Sequence, residues 1–301
     1  MIKLKDILLE STAPNIFIPR RMEDRLERMF KHYIRNGSKG NLSLSEMKLT
    51  VLPKILKNIT VGGDFDCNEN KLTSLKNCPE TVGGDFNCWD NNLTSLEGAP
   101  TSVGGHFHCS NNNLTSLEFA PSSVGGDFDC RHNKLTSLKN CPETVVGSFS
   151  CTGNDLTSLE FAPSSVGKDF DCGSNNLTSL KGAPSSVGKN FHCSHNNLTS
   201  LEFAPSSVSG NFWCHYNNLT SLEFAPSSVV GSFICSGNDL TSLEFAPSSV
   251  GGSFICRNNN LTSLEFAPKT VGEDFYCEDN PVKFTEEQVR AVCDVKKKVY
   301  V

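Results

Sequence analysis

The stretch GGHFHCSNNNLTSLEFAPSSV, residues 104–124, is one copy of a unit that the chain repeats along most of its 301 residues. The string LTSL begins at Leu72, Leu93, Leu114, Leu135, Leu156, Leu177, Leu198, Leu219, Leu240 and Leu261, always 21 residues apart. Phe keeps that beat from Phe65 to Phe275, Cys from Cys67 to Cys277, and Asn from Asn70 to Asn280. A degenerate copy follows at Val282, and an earlier one at Leu49 stands two residues out of phase. Only Phe-x-Cys alternates with period two, so each unit supplies one short strand. Gly-Gly, Pro and Ser-Ser exclude a long helix from the remainder. One unit cannot bury its own apolar side. Stacked units make a continuous core of Phe, Cys, two Leu, Val and Ala from every turn. The Asn falls five residues after the Phe, as the chain leaves its strand. There its amide can bond turn backbone that would otherwise be buried and unpaired.

The order Phe-x-Cys-x-x-Asn-x-Leu-x-x-Leu resembles the leucine-rich repeat pattern L-x-L-x-x-N-x-L-x-x-L, and LTSLEFAPSSV is similar to the repeats of bacterial leucine-rich repeat proteins. The match covers residues 41–284, with Phe and Cys in place of the usual strand aliphatics and a unit one residue longer than the common bacterial form. The resemblance implies an α/β-type solenoid, a horseshoe with a parallel β-sheet on its concave face, a mostly irregular convex side and short helical caps. A calcium-binding β-roll, hinted at by GGDFD, needs a nine-residue period and a second Gly-x-Asp, and has neither here.

An open solenoid exposes apolar ends and needs caps. Residues 20–36 place Met22, Leu26, Met29, Phe30, Tyr33 and Ile34 on one helical face, with Gly37 as a stop. Thr285 and Gln288 read as a capping box, with Val289, Val292 and Cys293 facing the last coil. The expected divisions are a leader at 1–10, an N-terminal segment and cap at 11–40, the solenoid at 41–284 and a C-terminal helical cap at 285–301. Within MIKLKDILLE, Leu8-Leu9-Glu10 before Ser11 resembles the cleavage signal of capsid-maturation proteases in large tailed bacteriophages. That resemblance implies a packaging leader, a virion-associated protein, and a site of action in the cytoplasm of a bacterial host.

Net charge is −6, with +6 in residues 1–60 and −12 in the rest. An acidic body disfavours nucleic acid, whose phosphates need clustered Lys/Arg. No apolar run approaches a membrane span, and the first ten residues are too short in apolar character for a secretory signal. Eleven Cys form one inward column, Cys78 and Cys141 replace the small Ala of other units, and Cys293 fits the cap. Parallel stacked side chains suit disulfide torsions poorly, and no C-x-x-C pair points to zinc, so free core thiols are expected.

Variation between copies collects just before Phe, between Phe and Cys, and at the two residues after Cys. Side chains alternate across a strand, so the first three of these positions point away from the core. The four positions together hold six of the seven His and both Trp. The expected binding residues are Trp89, His106, His108, Arg131 and His132 in one patch, edged by Asp85, Asp127 and Asp129. A second patch joins His192, His195, Trp213, His215 and Tyr216 and continues into Ile234, Ile255, Arg257 and Tyr276. Exposed aromatics grouped on one surface are the composition of a protein-binding hot spot. His106, His108, Asp127 and Asp129 are zinc-type ligands, yet an open sheet gives them no enclosing shell, so no metal and no cofactor are expected. No phosphate loop or nucleophile–base set stands out. The expectation is a non-enzymatic module that binds a protein partner, such as a bacterial host factor, through the concave face. The alternatives are a scaffolding virion component and a sugar or small-molecule binder.

Overall fold

The computed structural model describes residues 20–301. The leader, residues 11–19 and the side chain of Met22 lie outside the described residues. The chain groups into two compact units, Met1–Lys134 and Leu135–Val301.

In the first unit, helix α1 (Arg20–Arg35) buries Leu26, Phe30 and Tyr33. Ile34, expected on that face, is instead 48 % exposed, because it lies at the margin of the apolar stripe. The Tyr33 hydroxyl donates to the Ser38 carbonyl at 2.8 Å and ties the helix end to the first coil. Parallel strands follow at Leu42–Ser43, Phe65–Asp66, Phe86–Asn87, Phe107–His108 and Phe128–Asp129, each paired with the next. In the second unit a main sheet of parallel strands is formed by Phe149–Ser150, Phe170–Asp171, Phe191–His192, Phe212–Trp213, Phe233–Ile234, Phe254–Ile255, Phe275–Tyr276 and Val299–Tyr300.

Most units hold a second strand that periodicity did not reveal. Thr81–Val82, Ser102–Val103 and Ser123–Val124 pair in the first unit. In the second, Thr144–Val145, Ser165–Val166 and Ser186–Val187 form one group, and Ser228–Val229, Ser249–Val250, Thr270–Val271 and Asp294–Val295 another. Three residues separate each from the main-sheet strand that follows it, and a two-residue strand is too short to show alternation. In most coils Gly directly follows the repeat Val and allows close stacking, while Val146, Ser209 and Val230 take the position in three coils. At Gly104 an added Cβ would stand 2.0 Å from the Gly83 carbonyl oxygen.

The core follows the copied letters. Every repeat Phe from Phe65 to Phe275 is buried, as are the Cys after it and both Leu of LTSL. Neighbouring Phe rings within each unit lie 5.2–5.8 Å apart, centroid to centroid, a range in which aromatic pairs attract. Ala, expected in the core, is only half-buried in its turn, while the Pro after it is buried. All fourteen Cys are free thiols, thirteen of them buried and Cys141 half-buried. Burial raises the Cys277 thiol to about 12 and the Cys293 thiol to about 11, so neither is an activated nucleophile.

Two ladders satisfy the turns. Asn112 donates its amide to the carbonyls of Cys109, Ser110 and, one coil back, Cys88, while its oxygen accepts from the Leu93 N–H. Asn175, Asn196, Asn217, Asn238 and Asn259 repeat this pattern. The second ladder uses the residue before Phe. The backbone N–H of Asp85 donates to the Asp64 carboxylate, that of His106 to Asp85, and that of Asp127 to Nδ1 of His106. In the second unit Asp169, Asn190, Asn211, Ser232 and Ser253 accept in the same way.

At the C-terminus the capping box forms between Thr285 and Gln288, and helix α2 (Glu286–Val292) buries Val289. Cys293 is buried, but Val292 is 45 % exposed and does not face the coil. Residues 285–301 are more than a helix. Asp294–Val295 and Val299–Tyr300 each extend a sheet, so the end is a further coil that the helix leads into.

Candidate functional site

None of the fourteen expected binding residues enters the core: each is half-buried or exposed. The register explains their grouping. Position by position, His192 pairs with Trp213, Trp213 with Ile234, Ile234 with Ile255, Ile255 with Tyr276, and Tyr276 with Tyr300. A continuous aromatic and aliphatic stripe therefore runs along the solvent face of the second unit's main sheet. Tyr300 is its unforeseen last member, stacked on Tyr276 with centroids 4.3 Å apart. The VYV ending hid it, since no Phe-x-Cys marks that coil.

The residues two places after Cys all have left-handed backbone, with φ from +51° at Glu69 to +67° at Gly153. His132, His195 and Tyr216 sit there and are exposed. Around Trp213 five rings meet. The His192 ring meets Trp213 edge-on at 5.1 Å and stacks with His215 at 5.9 Å. His195 stacks on Tyr216 at 4.7 Å and meets His215 edge-on at 5.3 Å. The Tyr216 ring lies over Gly237, where an added Cβ would come within 2.5 Å of it. His192 bonds Asp171 through Nδ1 at 2.9 Å, and its Nε2 meets the Ser194 hydroxyl. Burial opposes charge on Asp171, but the His192 bond and charge outweigh it and hold the carboxyl below its ordinary value. Burial, with the charges of His192 and His195, pushes His215 down to about 4. Two buried atoms of this cluster, Trp213 Nε1 and His215 Nδ1, have no hydrogen-bond partner. Both atoms are shielded from solvent, so what the cluster offers a docking partner directly is the half-buried and exposed faces of its rings; the indole N–H becomes available only if the ring tilts.

The first unit carries a polar counterpart. Its stripe at the same position reads Asp66, Asn87, His108, Asp129. The buried Asp129 carboxylate lies 3.0 Å from Arg131 Nε and 3.7 Å from His108 Nδ1. The His106 and His108 rings are 5.7 Å apart. Because His106 Nδ1 already accepts from the Asp127 backbone, the Asp127 carboxylate 3.3 Å away is a neighbour and not its ion-pair partner. Trp89 stands half-buried beside Cys88, and Arg257 is exposed after Cys256. Among the described residues no group of three or more His, Cys, Asp or Glu is placed to hold a metal ion, and no helix is long and apolar enough to cross a membrane.

The stacked parallel strands, the Asn ladder and the short helices at the chain's ends define the fold as a leucine-rich repeat solenoid. Among solved structures it is similar to the leucine-rich repeat domain of APL1B, with a TM-score of 0.60 and 16 % identity over 96 % of this chain and 94 % of that one. It is also similar to YopM, a leucine-rich effector protein from Yersinia pestis, with a TM-score of 0.59 and 17 % identity over 93 % of this chain and 82 % of that one. No protein-family model and no curated protein matches the chain.

Proposed function

We propose that the protein is a non-enzymatic module that binds a partner protein through the solvent face of its main sheet, the face the resemblance makes concave. The observation that carries this reading is the stripe from His192 to Tyr300, anchored where Trp213 Nε1 and His215 Nδ1 are buried without partners. A sheet face that met only water would carry Thr, Ser or Lys at these positions, and its polar atoms would be satisfied. The solved relatives support the reading in one respect: their fold presents such a sheet. On the phage-like reading of Leu8-Leu9-Glu10, the chain travels in a virion and its partner is a bacterial host protein. Capture from host lysate, with each retained protein identified by mass spectrometry, tests the proposal. The variant Trp213→Ala/Tyr216→Ala is expected to lose the partner without a lower melting temperature. Retention of the same partner by the variant would overturn the main-sheet reading, and an intact Met1 on virion-derived protein would remove the packaging one.

A further inference from the structure

Six coils place phenylalanine where the backbone asks for glycine or asparagine. In Leu201-Glu202-Phe203-Ala204 the Ala204 N–H donates to the Leu201 carbonyl at 2.9 Å, and Phe203 has φ +70°. A turn with positive φ at its third residue is type II, and Gly or Asn is its ordinary occupant there. The same turn recurs with Phe119, Phe161, Phe224, Phe245 and Phe266, at φ +65° to +69°. In the four other coils Asn77, Gly98, Asn140 and Gly182 take the position, all with positive φ. The six rings are 50–56 % exposed. Neither the backbone nor the core calls for them.

A second residue changes with the first. Glu precedes every one of the six Phe: Glu118, Glu160, Glu202, Glu223, Glu244 and Glu265. Lys precedes both Asn and one Gly, as Lys76, Lys139 and Lys181, and Glu97 alone departs from that rule. All six Glu are exposed, and among the described residues none forms an ion pair. The same turn closes with either pair, so folding does not dictate the Glu–Phe choice. Phe203, Phe224, Phe245 and Phe266 occupy consecutive coils of the second unit. With strands about 4.8 Å apart, the row is about 15 Å long.

We propose that this row docks a cationic amphipathic helix of a partner protein. Its apolar side chains would cover the phenyl rings, and its Lys or Arg would meet Glu202, Glu223, Glu244 and Glu265. At 1.5 Å per residue, about ten residues of helix match the row. The carboxylates exclude an anionic surface as occupant and set a second copy of this chain, with the same row, at a disadvantage. This surface is separate from the aromatic stripe of the main sheet.

The probe is a fluorescently labelled amphipathic Leu/Lys peptide of about fourteen residues, titrated with the full chain at low and high salt and read by anisotropy. A Leu/Glu peptide of the same pattern is the control. The chain is expected to bind the cationic peptide only, more weakly at high salt. The fourfold variant Phe203→Asn, Phe224→Asn, Phe245→Asn, Phe266→Asn should bind at least about tenfold more weakly, with a melting temperature equal or higher. That is the outcome for side chains the fold does not need. Glu202→Gln, Glu223→Gln, Glu244→Gln, Glu265→Gln should weaken binding and flatten its salt dependence. Trp213→Ala/Tyr216→Ala should bind the peptide as the parent does, which separates this surface from the main sheet. No binding by the parent, undiminished binding by the Phe→Asn variant, or a lower melting temperature in that variant would overturn the proposal.

Discussion

His106 shows how one side chain serves two ends. It stands where Asp85, Asn190 and Ser232 stand in other coils, and like them it accepts the next coil's backbone N–H. The position tolerates Asp, Asn, Ser or an unprotonated His nitrogen because each offers an acceptor. His106→Ala should therefore cost about 1 kcal/mol in urea unfolding, the cost of leaving a half-buried N–H unpaired. His106→Asn should cost nothing measurable, and equal loss in both variants would rule the acceptor role out. His215 predicts a pH effect. Its folded value of about 4 lies below its ordinary 6.5, so between those limits the unfolded chain binds a proton that the folded chain does not. Stability from this group is constant above pH 6.5, falls as pH drops toward 4, and levels off below. The ring is partly exposed, so screening reduces the effect to on the order of 1 kcal/mol. Between pH 7 and pH 4 the parent should lose more melting temperature than His215→Gln, which has no such proton to bind; parallel curves would refute the assignment.

At the scale of the coil, stability rests on a core residue set and a polar spine that must occur together. Asn175 connects the Leu156 N–H and the carbonyls of Cys151, Cys172 and Gly173. Asn175→Ala would strand several of these in a dry interior, at a cost of roughly 1–3 kcal/mol for each group left unpaired. Asn280 makes the same bonds near the end of the stack, where it is only half-buried and water can replace them. Asn175→Ala should therefore unfold at clearly lower urea than Asn280→Ala. The Asn spine and the Phe, Cys and Leu columns were legible in the sequence, because a residue copied at every turn is either buried or bonded. The Ser–Val strands were not, since two residues carry no periodic signal. The acceptor ladder escaped notice because Asp, His, Asn and Ser differ as letters while doing one job. The Phe of EFAPSS shows that copying alone does not establish burial: its rings are exposed, and its backbone position is taken equally by Asn or Gly.

Across the whole molecule, the copied framework leaves a variable face on the main sheet of each unit, and its chemistry differs between the two. In the first unit that face is polar and internally paired, as the Asp129, Arg131 and His108 group shows. In the second it is aromatic: His192 is paired with Asp171, while Trp213 Nε1 and His215 Nδ1 are buried without a hydrogen bond. The grouping of the second patch was legible because strand register converts a 21-residue interval into adjacency, so Trp213, Ile234 and Ile255 had to be neighbours. The orphaned atoms were not legible, since they depend on how rings tilt against one another. They also sharpen the expected behaviour of the main-sheet variants. Trp213→Phe keeps an aromatic surface but has no N–H to offer. A partner whose docking tilts the ring and accepts that buried hydrogen should bind Trp213→Phe about tenfold more weakly, the equivalent of roughly 1.4 kcal/mol. Trp213→Ala should lose more, because the apolar surface of the ring goes too. Melting temperatures of both should match the parent, since Trp213 lies outside the Phe and Cys columns. Calorimetric titration with the captured partner reads the order directly: parent, then Phe, then Ala. Equal affinity for the parent and Trp213→Phe would show that the indole N–H stays unpaired in the complex, leaving the stripe to act through its apolar area alone.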